Sequence, residues 1–221
     1  MEIQEAERID PMPISSFEIR VCRSCGLRYP IVEQNSFGTR CPICLGETQI
    51  IVKKQFGNKK SANLINKNNQ HNILAILVDN VRSAWNVGSI LRSADGFGFS
   101  HAYLCGITPT PENKSVAKTS LGGEDSVTWS HHKDAVKLVK GLKKEGWKII
   151  ALEEDERAQA IGKSGNGEQN SVLIVGNEVT GVDPELLDLA DEIIYIPMYG
   201  QKKSFNVAVA FGVAGFALSD L

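Results

Sequence analysis

Residues 73–97 of the chain read ILAILVDNVRSAWNVGSILRSADGF. An apolar run without alternation comes first, and a segment with helical periodicity follows it. A short run that is apolar at every position is typical of a strand that is buried on both faces of a sheet. The stretch therefore predicts a buried strand followed by a helix, which is the start of a parallel α/β arrangement.

The same alternation continues to the end of the chain. The later segments are AYLCG, DAVKLVKGLKKEG, WKIIALE, VLIVGN, DPELLDLA, EIIYIP and FNVAVAFGVAGFAL. Apolar strands separated by helices indicate a parallel sheet with helices on both faces. Residues 72–221 are therefore predicted to form an α/β domain that binds a ligand at the carboxyl ends of its strands.

Bulk composition limits the class of protein. The 221 residues are 42% hydrophobic and 23% charged, with a formal net charge of −2, which is typical of a soluble globular protein. No apolar run reaches the roughly 18 residues of a membrane span, and residues 1–20 lack the profile of a secretory signal, so a cytoplasmic location without a membrane partner is expected. A glycine-rich dinucleotide fingerprint is absent, which argues against a nucleotide-dependent oxidoreductase.

Four of the five cysteines form two Cys-x2-Cys pairs, with fifteen residues between the pairs. The pairs are Cys22 with Cys25 and Cys41 with Cys44. This spacing predicts a structural zinc site with a closed shell of four thiolates. Two disulfides are the alternative, which a cytoplasmic location disfavours. Residues 1–56 are thus predicted to be a leader and a zinc ribbon, with a short hairpin within residues 27–40.

A polar stretch, residues 57–71, separates the predicted ribbon from the α/β domain and is expected to be a linker. Between Thr48 and Val78 the chain has five lysines and no acidic residue. These lysines either solvate the linker or contact phosphates, and the sequence leaves both interpretations open.

Three stretches of the α/β domain resemble the motifs of one enzyme family. They are NVGSILR at 86–92, LIVGNEVTGV at 173–182 and IPMYGQKKSFNVAVA at 196–210. In this order, across nearly all of residues 72–221, they are similar to the SpoU/TrmH-like RNA ribose 2′-O-methyltransferases of the SPOUT superfamily. The resemblance implies a parallel sheet with a deep trefoil knot and a homodimer whose two subunits build each active site. It also implies methyl transfer from S-adenosylmethionine to structured RNA, either tRNA or rRNA.

The resemblance assigns cofactor binding to four positions, namely Gly176, Ile196, Met198 and Phe205. In this family the cofactor is bound mainly by backbone groups of the knotted loops. A side chain at Gly176 is expected to occupy the place of the cofactor. Gly181 and Gly200 are expected to serve tight turns.

The resemblance makes Arg92 the catalytic residue, and four more positions belong to the same site: Asn86, Glu178, Ser204 and Asn206. Because a guanidinium is not deprotonated in proteins, Arg92 is expected to bind the neighbouring phosphate and to stabilise the developing alkoxide. The proton of the 2′-hydroxyl would leave to a phosphate oxygen, to water, to Glu124 or to Glu178. Residues 118–124 are expected to form a loop that contacts RNA.

Several of these residues have structural alternatives. Ser204 and Asn86 are both suited to cap a helix, and Asn206 is expected in the first turn of the last helix. Cys105 lies in an apolar strand and is expected to be a buried small hydrophobe, and the histidines are interpreted as surface residues. The alternative function is a non-catalytic RNA-binding module of the same fold, against which the intact motif residues argue.

Overall fold

The computed structural model describes residues 16–32, 39–55, 72–162 and 169–219. The chain divides into two compact units, Met1–Lys67 and Asn68–Leu221. The predicted linker 57–71 and most of the predicted leader lie outside the described residues. The predicted domain boundaries therefore remain predictions.

Three antiparallel strands build the first unit, in the order β2-β1-β3. They are β1 (Ser16–Cys22), β2 (Arg28–Val32) and β3 (Thr48–Gln55). β2 pairs with β1 across the first cysteine pair. The cysteine pair itself supplies the turn between these two strands. The hairpin predicted within residues 27–40 involves residues 33–38, which lie outside the described residues, so it remains a prediction.

Seven strands form the sheet of the second unit, in the order β6-β5-β4-β9-β7-β10-β8, and every pair between neighbours is parallel. The strands are β4 (Leu74–Asp79), β5 (His101–Cys105), β6 (Thr128–His132), β7 (Lys148–Leu152), β8 (Gln159–Ala160), β9 (Ser171–Val175) and β10 (Glu192–Tyr195). Every residue of the central strands β4 and β9 is buried. The prediction of a parallel sheet with both faces covered is confirmed.

Six helices accompany this sheet. They are α1 (Ala84–Gly96), α2 (Lys114–Ser120), α3 (Gly123–Ser126), α4 (Ala135–Lys144), α5 (Pro184–Leu189) and α6 (Val207–Leu218). Side chains of α1 and α6 share one hydrophobic core with alternate residues of β4, and side chains of α4 and α5 share a second core with the other residues of β4. The helices therefore lie on the two faces of the sheet.

Two glycines let helices approach α1 closely. A Cβ atom at Gly88 would collide with the Thr119 side chain and the Val116 carbonyl oxygen of α2. A Cβ atom at Gly123 would lie 2.9 Å from the α carbon of Arg92. Both positions need glycine because backbone meets backbone there. Residues 118–124, predicted to be a loop, instead form the end of α2, a short turn and the start of α3.

The last strand is inserted between two earlier ones. β10 pairs with β7 on one side and with β8 on the other. The segment that connects β7 to β8 therefore passes over the end of β10. The chain beyond Tyr195 has to pass this segment before it reaches α6. This placement agrees with the threaded segment that the family resemblance implies.

Candidate active site

A pocket of about 580 Å³ lies at the carboxyl ends of β7, β9 and β10. The loops after these strands and the start of α6 form its walls, and the sheet edge is the one at which an open parallel sheet binds its ligands. All four positions assigned to the cofactor line this pocket, namely Gly176, Ile196, Met198 and Phe205. The threaded segment thus brings together residues that are up to 29 positions apart in sequence (205 − 176 = 29).

Gly176 is needed for a reason that the sequence did not reveal. A Cβ atom there would overlap the backbone of Gly181 and Val182. The backbones of Asn177 and Gly181 bond to each other across this loop at 3.0 Å, and Gly181 has a φ of +72°. Closure of the loop requires glycine at position 176, and the expectation of a tight turn at Gly181 agrees with its positive φ. The expectation that a side chain at Gly176 would also occupy the place of the cofactor stays a prediction.

Three of the predicted catalytic residues form one chain of hydrogen bonds. The Asn86 side-chain nitrogen donates to Glu178 at 3.0 Å, and the Asn206 side-chain nitrogen donates to the Asn86 oxygen at 3.0 Å. The Asn206 oxygen accepts from the backbone N–H of Ala208 at 2.9 Å. The network fixes both amide orientations and joins the starts of α1 and α6 to the loop after β9.

The helix caps differ from two expectations. Ser83 is the N-cap of α1, and its hydroxyl accepts from the Asn86 N–H, so Asn86 does not cap. Asn206 is the N-cap of α6 rather than a residue of its first turn. Ser204 lies two positions earlier, is exposed and lines the pocket, so the expectation that it caps α6 is wrong. The Asn206 side chain caps α6 by accepting from the N–H groups of Ala208 and Val209, which is the usual role of an asparagine at an N-cap.

Glu178 is held as a carboxylate. Partial burial opposes its ionisation, but the N–H groups of Arg82 and Ser83, each at 3.1 Å, and the Asn86 amide outweigh that effect. The pKa of Glu178 consequently lies below its ordinary value. The position at the amino end of α1 also favours a negative charge.

Arg92 lies away from this pocket. It is exposed on α1 and is not among the residues that line the cavity. Within the described part of the chain its guanidinium makes no hydrogen bond and no ion pair. Glu124 accepts a hydrogen bond from the Gly122 N–H at 3.1 Å and also lies outside the pocket.

Sequence reasoning missed three charged residues of the pocket, namely Glu153, Glu154 and Lys203. Glu153 accepts from the Val182 N–H at 2.9 Å and from the Glu154 N–H at 3.0 Å, so it fixes the loop that closes against Gly176. The two glutamates could have been found from their position in the sequence. They directly follow an apolar run that predicts a strand, so they lie at the carboxyl end of that strand.

Of the three histidines that the structure describes, only His131 is exposed. His101 is half-buried, and its two ring nitrogens contact the hydroxyls of Thr128 and Ser130 at 2.7 and 2.8 Å. Ser130 also contacts His132 at 2.8 Å. Burial, together with the charge of His132, lowers the pKa of His101. Cys105 is a buried small hydrophobe as expected, and burial raises its pKa to about 12.

The four paired cysteines converge in the first unit. Their sulfurs all lie within 4.8 Å of one another. The Cys22 and Cys44 sulfurs are 3.4 Å apart and the Cys25 and Cys41 sulfurs are 3.7 Å apart, too far for disulfides and close to the roughly 3.8 Å between thiolates on a tetrahedral zinc ion. The cluster fits a zinc ribbon.

The acid–base chemistry of the cluster also favours a cation. The Cys25 N–H lowers the pKa of Cys22 to about 6. The Gly46 N–H acts to lower the pKa of Cys44, but the sulfurs of Cys22 and Cys25 raise it to about 12. Four adjacent sulfurs do not all ionise without a positive charge among them, and a divalent metal supplies that charge.

Comparison with known proteins identifies the second unit. The sequence profile of the SpoU rRNA Methylase family matches residues 73–216. The chain belongs to the SpoU methylase family. The predicted α/β fold and the predicted family are therefore confirmed.

Two curated relatives in this family are RNA methyltransferases. The 23S rRNA (guanosine(2553)-2′-O)-methyltransferase RlmP of Bacillus subtilis strain 168 is 33% identical over 145 residues, which are 65% of this chain and 56% of that protein. A tRNA (guanosine(18)-2′-O)-methyltransferase of Aquifex aeolicus strain VF5 is 32% identical over 148 residues, which are 63% of this chain and 65% of that protein. The chain covers less than two thirds of the length of each.

A solved structure shares the fold. The AdoMet-bound rRNA methyltransferase from Sinorhizobium meliloti has 25% sequence identity and a TM-score of 0.62, and the match covers 66% of this chain and 55% of that one. Among the described residues, no helix is long and apolar enough to cross a membrane.

Proposed function

We propose that this SpoU-family protein methylates a ribose 2′-hydroxyl of structured RNA, either tRNA or rRNA, with S-adenosylmethionine as the methyl donor. The pocket carries this proposal, because all four positions assigned to the cofactor line it and three of the five assigned catalytic positions do so as well. Relatives that act on tRNA and on 23S rRNA support both substrate classes equally. With such substrates we expect the enzyme to work in the cytoplasm.

The pocket fits S-adenosylmethionine in size and charge. Its volume lies within the range of sites for small molecules, and loops supply much of the lining. Glu153, Glu154 and Lys203 provide both signs of charge, as a ligand with a sulfonium, an ammonium and a carboxylate requires. When bound, the cofactor supplies an electrophilic methyl group.

The residues around the pocket orient the reaction rather than take up its proton. Glu178 is a weak base, because its pKa is lowered and both of its oxygens accept hydrogen bonds. Its role is to position Asn86, and through it Asn206. Arg92 acts on the substrate side by binding the phosphate and stabilising the developing alkoxide, and the proton leaves to a phosphate oxygen or to water.

The active form is a homodimer, because α6 is apolar on all sides. Phe211, Ala214 and Leu218 are buried within the chain, whereas Val209, Val213 and Phe216 are 51, 41 and 55% exposed. A helix that is apolar all round is expected to be covered all round. The position of Arg92 outside the pocket of its own chain agrees with an active site built from two subunits. Sedimentation at micromolar concentration should give a dimer, and a monomer that retains activity at high dilution would contradict it.

The four-cysteine cluster binds one structural zinc ion. Four sulfurs leave no open coordination position, so the ion takes no part in the methyl transfer. Elemental analysis of the purified protein should give one zinc per chain.

Methyl transfer itself is tested with S-adenosylmethionine labelled in its methyl group. Unmodified tRNA transcripts and 23S rRNA fragments are incubated with the protein, and the labelled RNA is hydrolysed in alkali. A 2′-O-methyl group protects the adjacent phosphodiester, so we expect the label in alkali-resistant dinucleotides. Binding of both RNA and cofactor without any transfer would instead support the non-catalytic RNA-binding module.

A further inference from the structure

An exposed tryptophan lies at the start of α1. Trp85 is 57% exposed, although indole side chains are on average highly buried. The next residue, Asn86, belongs to the hydrogen-bonded chain that reaches the pocket. Tryptophan is enriched where proteins bind ligands and partners, because its ring combines a large apolar area with a polar N–H group.

Trp85 shares a face of α1 with the proposed catalytic arginine. Arg92 comes seven positions after Trp85, which in an α-helix puts the two side chains within about 20° of the same direction and roughly 10 Å apart along the axis. Both side chains are exposed. Under the proposed function Arg92 contacts ribose and phosphate, so RNA that reaches Arg92 also extends along the face that carries Trp85.

A lysine completes this surface. The Lys118 ammonium nitrogen lies 5.8 Å from the centre of the Trp85 ring. Its helix, α2, is held against α1 by the close approach at Gly88. An aromatic plane with cations beside it is the combination with which proteins bind unpaired nucleotides, because bases stack on the ring and phosphates pair with the cations.

We propose that Trp85 is a stacking platform for an unpaired nucleobase of the RNA substrate and that Lys118 binds a phosphate next to that base. The substrate class in this proposal rests on the proposed function. A second copy of the chain is the competing occupant of this surface. RNA is favoured because Lys118 and Arg92 flank the ring, and burial of two cations in an apolar subunit interface would cost desolvation energy.

Tryptophan fluorescence tests the stacking directly. The chain has three tryptophans, and the Trp129→Phe/Trp147→Phe variant retains Trp85 alone. Titration of this variant with unmodified tRNA transcripts and with 23S rRNA fragments, without S-adenosylmethionine, should quench the emission as the base stacks. RNA binding in a mobility-shift assay without quenching by either RNA would overturn the proposal. Emission that changes with protein concentration alone would assign the surface to a second copy and would overturn it too.

Kinetics separate this proposal from the proposed function. Trp85→Ala should raise KM for RNA about 10-fold or more with kcat nearly retained, Trp85→Phe should largely restore it, and cofactor affinity should not change in either variant. Lys118→Gln should also raise KM, whereas Lys137→Gln on α4, which packs on the other face of the sheet, should not. If the wild type transfers methyl groups and Trp85→Ala keeps its KM, stacking is wrong and the proposed function stands. If the wild type transfers none, the proposed function fails and the fluorescence titration still decides the stacking.

Discussion

The two units of the chain are stabilised in opposite ways. In the described part of the first unit the only buried hydrophobic residues are Cys22 and Cys41, while Ile43 and Leu45 are 76 and 66% exposed. In the second unit, two hydrophobic cores cover the two faces of the sheet. A unit of this size buries little apolar surface and is marginally stable on its own, and the proposed zinc ion would replace the missing core.

A variant that cannot hold the proposed zinc ion should show this difference between the two units most strongly. Cys25→Ser leaves three ligands, and structural zinc contributes about 10 kcal/mol or more to folding of such modules. We expect the variant to lose zinc and the dispersed amide signals of residues 16–55, while the thermal transition of the α/β unit remains. Cys105→Ala, in the α/β core, is the control and should retain both zinc and ribbon signals. A Cys25→Ser protein with a folded ribbon would mean that burial holds the first unit.

In the second unit, by contrast, the packing of helices should determine the free energy of unfolding. Gly88→Ala places a methyl group against α2, and we expect a loss of about 3 kcal/mol in the free energy of unfolding because the two helices cannot separate without opening the core. Gly141 lies within α4 with nothing near its absent Cβ, so Gly141→Ala should stabilise by about 1 kcal/mol. Urea denaturation measures both, and effects of equal sign would contradict the close approach.

Backbone strain should give a smaller effect in the ribbon. The residue after each cysteine pair has a positive φ, +75° at Gly26 and +59° at Leu45. Leu45→Gly should relieve about 1 kcal/mol of strain and tighten zinc binding roughly 5-fold in competition with a chelator. Gly26→Ala introduces the same strain and should weaken binding by a similar factor. Unchanged affinity in both variants would show that the second turn is relaxed.

The smallest effect concerns His101, which lies on β5 beside the edge strand β6 of the second unit. Burial lowers the pKa of His101 in the folded protein. In the unfolded chain the same histidine has its ordinary pKa of about 6.5, so below this pH the unfolded chain binds more protons than the folded one. The stability that neutral His101 contributes is therefore lost on acidification through this range. His101→Gln should reduce the slope of the melting temperature between pH 7 and pH 5, and an unchanged slope would show that the ring is effectively solvated.

The sequence predicted local features of both units, but not the features that depend on residues distant in sequence. Apolar runs predicted the strands of the sheet, and spacing predicted the cysteine cluster, because both patterns are local. The sequence reveals neither the loop closure that requires glycine at position 176 nor the role of Glu153, since both depend on a loop that closes over a strand end distant in sequence. Ser204 was preferred to Asn206 as the helix cap because sequence alone locates a helix start only to within a residue or two.

The chain of hydrogen bonds at the pocket could be predicted from the motifs only in part. Asn86, Glu178 and Asn206 come from three separate motifs, and the sequence placed them in one site only through the family resemblance. Their hydrogen bonds, and the lowered pKa that makes Glu178 a poor base, emerge from the geometry. The exposed position of Arg92 outside the pocket could not be read from its motif either.

Substitution of Arg92 distinguishes binding of the cofactor in the pocket from action on the RNA, because Arg92 lies outside that pocket. Calorimetry should give Arg92→Ala nearly the wild-type affinity for S-adenosylmethionine, while methyl transfer to RNA should fall about 100-fold, the cost of losing one charge-assisted contact made mainly in the transition state. Arg92→Lys should restore little if two parallel hydrogen bonds to phosphate and ribose are needed. Near-wild-type turnover of Arg92→Ala on an unmodified RNA that the wild type methylates, or loss of cofactor binding in that variant, would contradict the assignment of Arg92 to the substrate side.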